Sequence, residues 1–364
     1  MNRKGKAIAF FLITFLFLIS SGCVLKPDSE SVKEEKLPER KIETSEEALF
    51  YGYQSLSKEE QQIYRQIAEG LEKQESEIRI TPIEEDRLTS VFNMVMIDHP
   101  EYFWTEGEFQ YTTIEDLTED TKMAIQLMPV YSIEKKQINE LKLQIEHQAE
   151  EWISQIDGSL DIYEKIKSVY ELLIREVEYD ETSSYNQTIQ SVFLEKRTVC
   201  MGYAKATQYL LNKMGIFCTL VTGTILEEPN SSHAWNLVQI GDSYYYVDTT
   251  WGSPGYNGKD EREAWISYSY LCCSDRVLNA THRANEDLQL PPCSDESYNY
   301  YRKKGCFYEE YDRDYIRDIL KKDIEKGNLI QEAIQEITTL SPGEQISWQI
   351  SYGGKDNLLV ILWN

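Results

Sequence analysis

Positive charge is scarce in this chain. Its 364 residues carry 37 Lys and Arg against 62 Asp and Glu, a formal net charge of −25. A surface of that sign repels phosphate backbones and anionic headgroups, so nucleic acid and anionic lipid are excluded as general partners. Neither a P-loop nor a dinucleotide fingerprint occurs, and no nucleotide cofactor is implied. Long apolar runs are missing too: Ala7 to Ile19 is shorter than the roughly 20 residues a bilayer span requires. The seven cysteines are poorly placed for metal. Cys272, Cys273, His282 and Cys293 follow no finger or ribbon spacing, and no structural metal is expected.

Arg3, Lys4 and Lys6 precede the Ala7–Ile19 run, and Ser20-Ser-Gly-Cys23 closes it. The pattern resembles a bacterial lipoprotein signal in which Cys23 becomes the lipidated first residue, with Ser20 where Leu is usual. The alternative is ordinary secretion with cleavage nearby. Either way the chain is expected to be exported, and a lipid on Cys23 would anchor it to the membrane on the extracytoplasmic side. The next residues, to about Ser45, are rich in Lys, Glu, Pro and Ser and cannot bury a core. The predicted organisation is a signal over 1–22, a tether over 23–45, a mostly helical domain over 46–155, a central domain over 156–290 and a small C-terminal α/β domain over 291–364. Apolar spacing predicts helices over 58–71, 83–96, 133–156 and 161–177, the last with Ile162, Ile166, Val169, Tyr170, Leu173 and Val177 inward. Short strands are predicted over 109–113 and 124–131. Toward the end, a helix is predicted over 311–326, and Gly353-Gly-Lys-Asp356 marks a hairpin between 346–352 and 358–363.

Three segments of the central domain carry chemistry: Thr198-Val-Cys-Met-Gly-Tyr-Ala204, Ser232-His-Ala-Trp-Asn236 and Tyr246-Val-Asp-Thr-Thr-Trp251. Tyr203, Thr207, Leu210, Leu211 and Met214 keep helical spacing up to Gly215, a stop signal, and Thr198 is the expected N-cap. Cys200 then falls in the first turn, where unpaired N–H groups and the helix dipole favour a thiolate. Its own N–H is a candidate oxyanion donor, and Gly202 is expected to admit a substrate backbone. Residues 234–240 and 244–247 read as a hairpin around Gly241-Asp242. A two-residue loop pairs Ile240 with Ser243 and places His233 and Asp248 on one face as diagonal neighbours about 7–8 Å apart at Cβ. A thiolate nucleophile needs a base, and the base needs a group that orients it. Cys200, His233 and Asp248 fill those roles.

These motifs together resemble the bacterial transglutaminase-like superfamily with its papain-like core. The stretch from Tyr270-Leu-Cys-Cys-Ser-Asp275 through Thr281-His282 resembles the region that follows the Asp in its members. The resemblance covers roughly residues 160–285. It implies an α+β fold in which a helix carrying the Cys packs on an antiparallel sheet carrying the His and Asp. It carries over Cys200 as nucleophile, His233 as base and Asp248 as orienting acid. Met201 stands where a polar residue is common and Gly252 where an acidic one often follows the Trp. The resemblance offers Tyr179 as a second oxyanion donor, with Gln187 and Gln190 as alternatives. Met201, Gly202, Trp235 and Trp251 complete the candidate oxyanion and substrate residues.

The implied function is cysteine-dependent acyl transfer without a cofactor, foremost hydrolysis of amide bonds in a protein or peptide substrate, a cell-wall peptide among the candidates. Two alternatives stand beside it: a protein cross-linker, and a non-catalytic binding module whose Trp235, Tyr246, Trp251 and Tyr256 hold a peptide or glycan. Five cysteines remain, Cys218, Cys272, Cys273, Cys293 and Cys306, with Cys293–Cys306 a disulfide permitted by export.

Overall fold

The computed structural model describes residues 47–115, 123–226, 228–253, 266–286, 288–304, 346–353 and 356–363. Cys23, Tyr256, Cys306 and the helix expected over 311–326 lie outside them. Among the described residues no helix is long and apolar enough to cross a membrane. The chain divides into two compact units, one reaching residue 96 and resuming over 104–138, the other made of 97–103 and the chain from 139 onward.

The first unit begins with α1 (Tyr51–Ser55) and α2 (Lys58–Glu72). Ser57 starts α2 with a capping box: its hydroxyl accepts from the Glu60 N–H while the Glu60 carboxylate accepts from the Ser57 N–H. The expected stripe Ile63, Ile67, Leu71 is buried, joined by Tyr64 and Ala68. After β1 (Ile78–Ile80) and α3 (Glu85–Asp98) come β2 (Thr105–Glu115) and β3 (Met123–Tyr131), in an antiparallel sheet of order β1-β3-β2. Strand β2 starts four residues earlier than its apolar pattern suggested. Gly107, at φ +77°, sits in a break of register between Thr105 and Phe109, and the Thr105 hydroxyl ties the far side of that break to the Val130 carbonyl at 3.0 Å.

In the second unit, α4 (Lys135–Ser154) brings Trp152 into the core 5.1 Å from the Phe193 ring. Helix α5 (Ile162–Glu176) is capped by the Asp161 carboxylate on the Glu164 N–H. Its buried face follows the expected positions from Ile166 on; Ile162, the first helical residue, is exposed instead. Two short parallel strands, β4 (Glu178–Tyr179) and β5 (Arg197–Thr198), lead into α6 (Cys200–Lys213). Helix α6 packs Met201 and Ala204 on Leu220 and Ala234 of an antiparallel sheet. That sheet has the order β10-β6-β7-β8-β9, from β6 (Cys218–Ile225), β7 (Glu228–Ile240), β8 (Ser243–Val247), β9 (Leu271–Cys273) and β10 (His282–Ala284). The fold is therefore α+β, a Cys-bearing helix on an antiparallel sheet. Short helices α7 (Thr249–Gly252), α8 (Asp275–Leu278) and α9 (Tyr300–Lys304) follow β8, β9 and β10. Cys272 and Cys273 are core residues of β9, and Cys218, Cys272, Cys273 and Cys293 are buried free thiols. The hairpin at the end forms as β11 (Ile346–Gly353) and β12 (Asp356–Trp363), paired in register around Gly353↔Asp356.

Candidate active site

Cys200 is the first residue of α6, and the helix stops as expected at Gly215, whose φ of +73° only glycine adopts without strain. The N-cap expectation needs correction. Val199, not Thr198, caps the helix, with no side-chain bond. Thr198 lies in β5, where its hydroxyl donates to the Asn186 carbonyl at 2.8 Å and accepts from Ser191. A hydroxyl committed to that loop cannot also turn back to the helix N–H groups, so those of the first turn have no side-chain cap.

The β7–β8 hairpin closes through Gly241-Asp242, with Ile240 opposite Ser243 and Asn236 opposite Val247. Asp248 follows β8 by one residue and caps α7, its Oδ1 accepting the Trp251 N–H at 3.1 Å. Its Oδ2 lies 2.7 Å from His233 Nε2. Cys200 is near enough to His233 to help raise its imidazole, and since Nε2 is taken by the carboxylate, Nδ1 is the nitrogen left for the thiol. Cys200, His233 and Asp248 thus come together, with His233 2% and Asp248 0% exposed.

Burial raises the Asp248 carboxyl, but the charge of His233 and hydrogen bonds from His233 and His282 outweigh it and hold Asp248 well below the usual carboxylate range. Burial lowers His233; the Asp248 charge and bond, followed by Cys200, outweigh it and raise the imidazole well above its ordinary value. Both shifts favour an ionised pair. Two cross-links fix the elements against each other. Asn236 donates to the Ala204 carbonyl at 2.9 Å, tying β7 to α6, and the Thr207 and Thr249 hydroxyls bond at 2.9 Å, tying α6 to α7.

The other expected site residues are placed differently. Gly202 is buried, and a Cβ there would stand 1.8 Å from Thr198 Oγ1; it makes room for Thr198, not for a substrate. Met201 is buried in the cluster with Ala204, Leu220 and Ala234. Trp235, fully buried, and Tyr246, nearly so, belong to the core on Val221, Leu237 and Cys273, so neither ring offers a face to a ligand. Trp251 is half-buried, its ring centroid 6.1 Å from that of His233. Tyr179 is half-buried and pairs with Thr198, two residues before Cys200. The Gln190 Oε1 is buried without a hydrogen bond among the described residues, and Gln187 donates to Asn186 Oδ1 at 3.4 Å.

One side chain was not expected here. His282, noted from sequence beside the cysteines and at the end of the stretch that resembles the region after the Asp but given no role there, places Nε2 3.1 Å from the same Asp248 Oδ2 that binds His233. His233, Asp248 and His282 are a trio whose ligand atoms lie close enough to hold a cation; their 2.7 and 3.1 Å separations are hydrogen-bond lengths. The signal for His282 is topological. Strand β10 pairs His282 with Ile225, two residues from Gly223, which pairs with His233. Nothing local to Thr281-His282 announces that pairing.

Residues 150–249 match the model of the transglutaminase-like superfamily. That stretch is a transglutaminase-like domain. It contains Cys200, His233 and Asp248, and ends before His282. No curated protein matches the chain. Among solved structures, a "TGase" is similar at 12% identity and a TM-score of 0.29, covering 52% of this chain and 53% of its own. A candidate cysteine protease from Cytophaga hutchinsonii is similar at 15% identity and a TM-score of 0.27, covering 39% of this chain and 62% of its own. The periplasmic domain of TgpA from Pseudomonas aeruginosa, bound to ethylmercury, is similar at 12% identity and a TM-score of 0.25, covering 41% and 67%. The chain thus spans about half the length of the first of these.

Proposed function

We propose that this protein is an exported, lipid-anchored cysteine hydrolase that cleaves amide bonds in protein or peptide substrates, cell-wall peptides among the candidates. The observation that carries the reading is the buried His233–Asp248 pair at 2.7 Å, with Cys200 in the first turn of α6 acting on the same imidazole. The reading of Cys23 as the lipidated residue supplies the anchor.

The chemistry follows from the order of the groups. The Cys200 thiolate attacks the amide carbon, forming a C–S bond while the carbonyl oxygen takes the negative charge. The uncapped N–H groups at the start of α6 favour that oxyanion. Collapse breaks the C–N bond, and the leaving amine takes the proton from His233 Nδ1. Water then gives a proton to His233 and attacks the thioester, releasing the acid and the thiolate. Asp248 keeps the imidazole oriented throughout.

The test is alkylation of Cys200 by iodoacetamide against pH, read by peptide mass spectrometry, in the wild type and His233→Ala. Modification well below the free-thiol pKa of about 8.5, lost in the mutant, is the expected result. A rate no faster than a free thiol and indifferent to His233 leaves a binding module instead. Where activation is found, hydrolysis of a peptide library with and without an added primary amine distinguishes the hydrolase from a cross-linker.

A further inference from the structure

Asp248 receives three N–H donors: His233 and His282 on Oδ2, at 2.7 and 3.1 Å, and the Trp251 backbone on Oδ1 at 3.1 Å. An ionised carboxylate only accepts, so each Nε2 must carry a hydrogen. That leaves Nδ1 of His282 for a second hydrogen bond. The Thr281 hydroxyl lies 2.7 Å from it, and the Tyr270 hydroxyl lies 2.9 Å from Thr281 Oγ1. With Nε2 donating to Asp248, the other ring nitrogen is held by Thr281, whose hydroxyl also lies 3.3 Å from the Leu278 carbonyl. The ring is boxed by Trp251, Trp235 and Tyr270, with centroids at 4.6, 5.2 and 5.2 Å. His282 is 1% exposed, so water does not compete for either nitrogen.

We propose that His282 is a positioning residue of the site: through Oδ2 it pins the Asp248 carboxylate and divides its charge between two imidazoles, so that Asp248 orients His233 without holding its proton too tightly. The inference rests on the hydrolase reading above. A buried carboxylate facing one imidazole would bind the imidazolium strongly and make it a poor acid toward a leaving amine. A second permanent donor lowers the basicity of the oxygen that His233 faces. Among the described residues, the other titratable groups that face Asp248 are Tyr170 and Cys273, both neutral at working pH because burial, the largest cause, pushes each hydroxyl and thiol up. His233 and His282 are therefore the groups that set its charge balance.

The test uses the full chain and the pH profile of Cys200 alkylation in the wild type, His233→Ala, His282→Ala, His282→Gln and Thr281→Val, with thermal melts to establish folding. The Gln amide nitrogen occupies the place of His Nε2 and can donate to the same oxygen. In His282→Ala the upper, His233-dependent inflection is expected to rise by about one pH unit. His282→Gln should restore most of that shift, and Thr281→Val, which removes the hydroxyl that holds the ring at Nδ1, should shift it the same way by less. If His282→Ala does not fold, the Gln and Val variants carry the result. An inflection unchanged in all three, a downward shift, or an upward shift that Gln does not repair overturns the inference, as does a profile that a chelator alters, which would make the trio a cation site. If the wild type itself shows no His233-dependent activation, the hydrolase reading fails first. If it does and the His282 and Thr281 variants follow the wild type, only this inference falls.

Discussion

Gly202 has no room for a side chain, and that makes it a local probe of the site. A Cβ would stand 1.8 Å from Thr198 Oγ1 and 3.0 Å from the Asn186 carbonyl. Thr198 is anchored to both Asn186 and Ser191, so it cannot step aside freely. Gly202→Ala is expected to destabilise by about 1–3 kcal/mol and to slow Cys200 alkylation about tenfold, measured by denaturant melts and the alkylation rate. The paired shifts of His233 and Asp248 predict a pH dependence. Asp248, held down, contributes stability present above the unfolded carboxyl pKa of about 3.9 and lost as pH falls through its folded value. His233, raised to about 10, contributes stability fully present below the unfolded imidazole value of about 6.5 and lost as pH rises through the folded one. The melting difference between wild type and His233→Gln should therefore be largest between about pH 4 and 6.5 and shrink toward pH 10. A difference that grows above pH 7 would contradict the ionised pair. Cys200, His233 and Asp248 were legible as residues because an Asp at a strand end is costly to bury without a partner. Met201, Gly202 and Trp235 were misread, because local sequence does not say which way a side chain faces around a helix of small residues or along a strand buried on both faces.

At the scale of elements, caps and turns separate from the site. Asp161→Ala removes the N-cap of α5 and should cost about 1 kcal/mol in denaturant melts while leaving the pH profile of Cys200 alkylation unchanged. Gly223 is different. A Cβ on it would lie 2.1 Å from the Arg283 carbonyl of β10 and 2.5 Å from Trp235 Cη2. Both neighbours are held, one by the ladder and one by the core, so Gly223→Ala should push β10 away and carry His282 off Asp248. We expect a loss of about 2–3 kcal/mol together with the alkylation profile of His282→Ala; a stability loss with an unchanged profile would show that β10 does not position His282. Helices α2 and α5 and the β7–β8 hairpin were readable because apolar period and turn chemistry are local. The Thr198 cap was misread because β4 and β5 pair in parallel, and a contact made through a loop leaves no mark near Thr198.

Over the whole molecule the excess of negative charge governs behaviour. With 62 acidic against 37 basic side chains, the compact state repels itself, and several surface ion pairs, such as Arg276–Glu296 and Lys213–Glu146, recover little of that. Raising salt from about 0.05 to 0.5 M should therefore raise the melting temperature by roughly 2–5 °C, where a protein stabilised mainly by surface ion pairs would lose stability.

The sequence by itself determined that a hairpin turns near Gly241-Asp242 and that a helix carries Cys200 in its first turn, since each follows from spacing or turn residues within a few positions, while the α+β fold came from the resemblance. It also named the nucleophile, the base and the acid as candidates. Only the tertiary structure decided that a second histidine shares the carboxylate. His282 is 34 residues from Asp248, and it reaches that oxygen because β10 lies beside β6 while glycine, at Gly223, leaves space between the strands. Such a meeting depends on sheet order and on an absent side chain, and neither is encoded near the residues that meet.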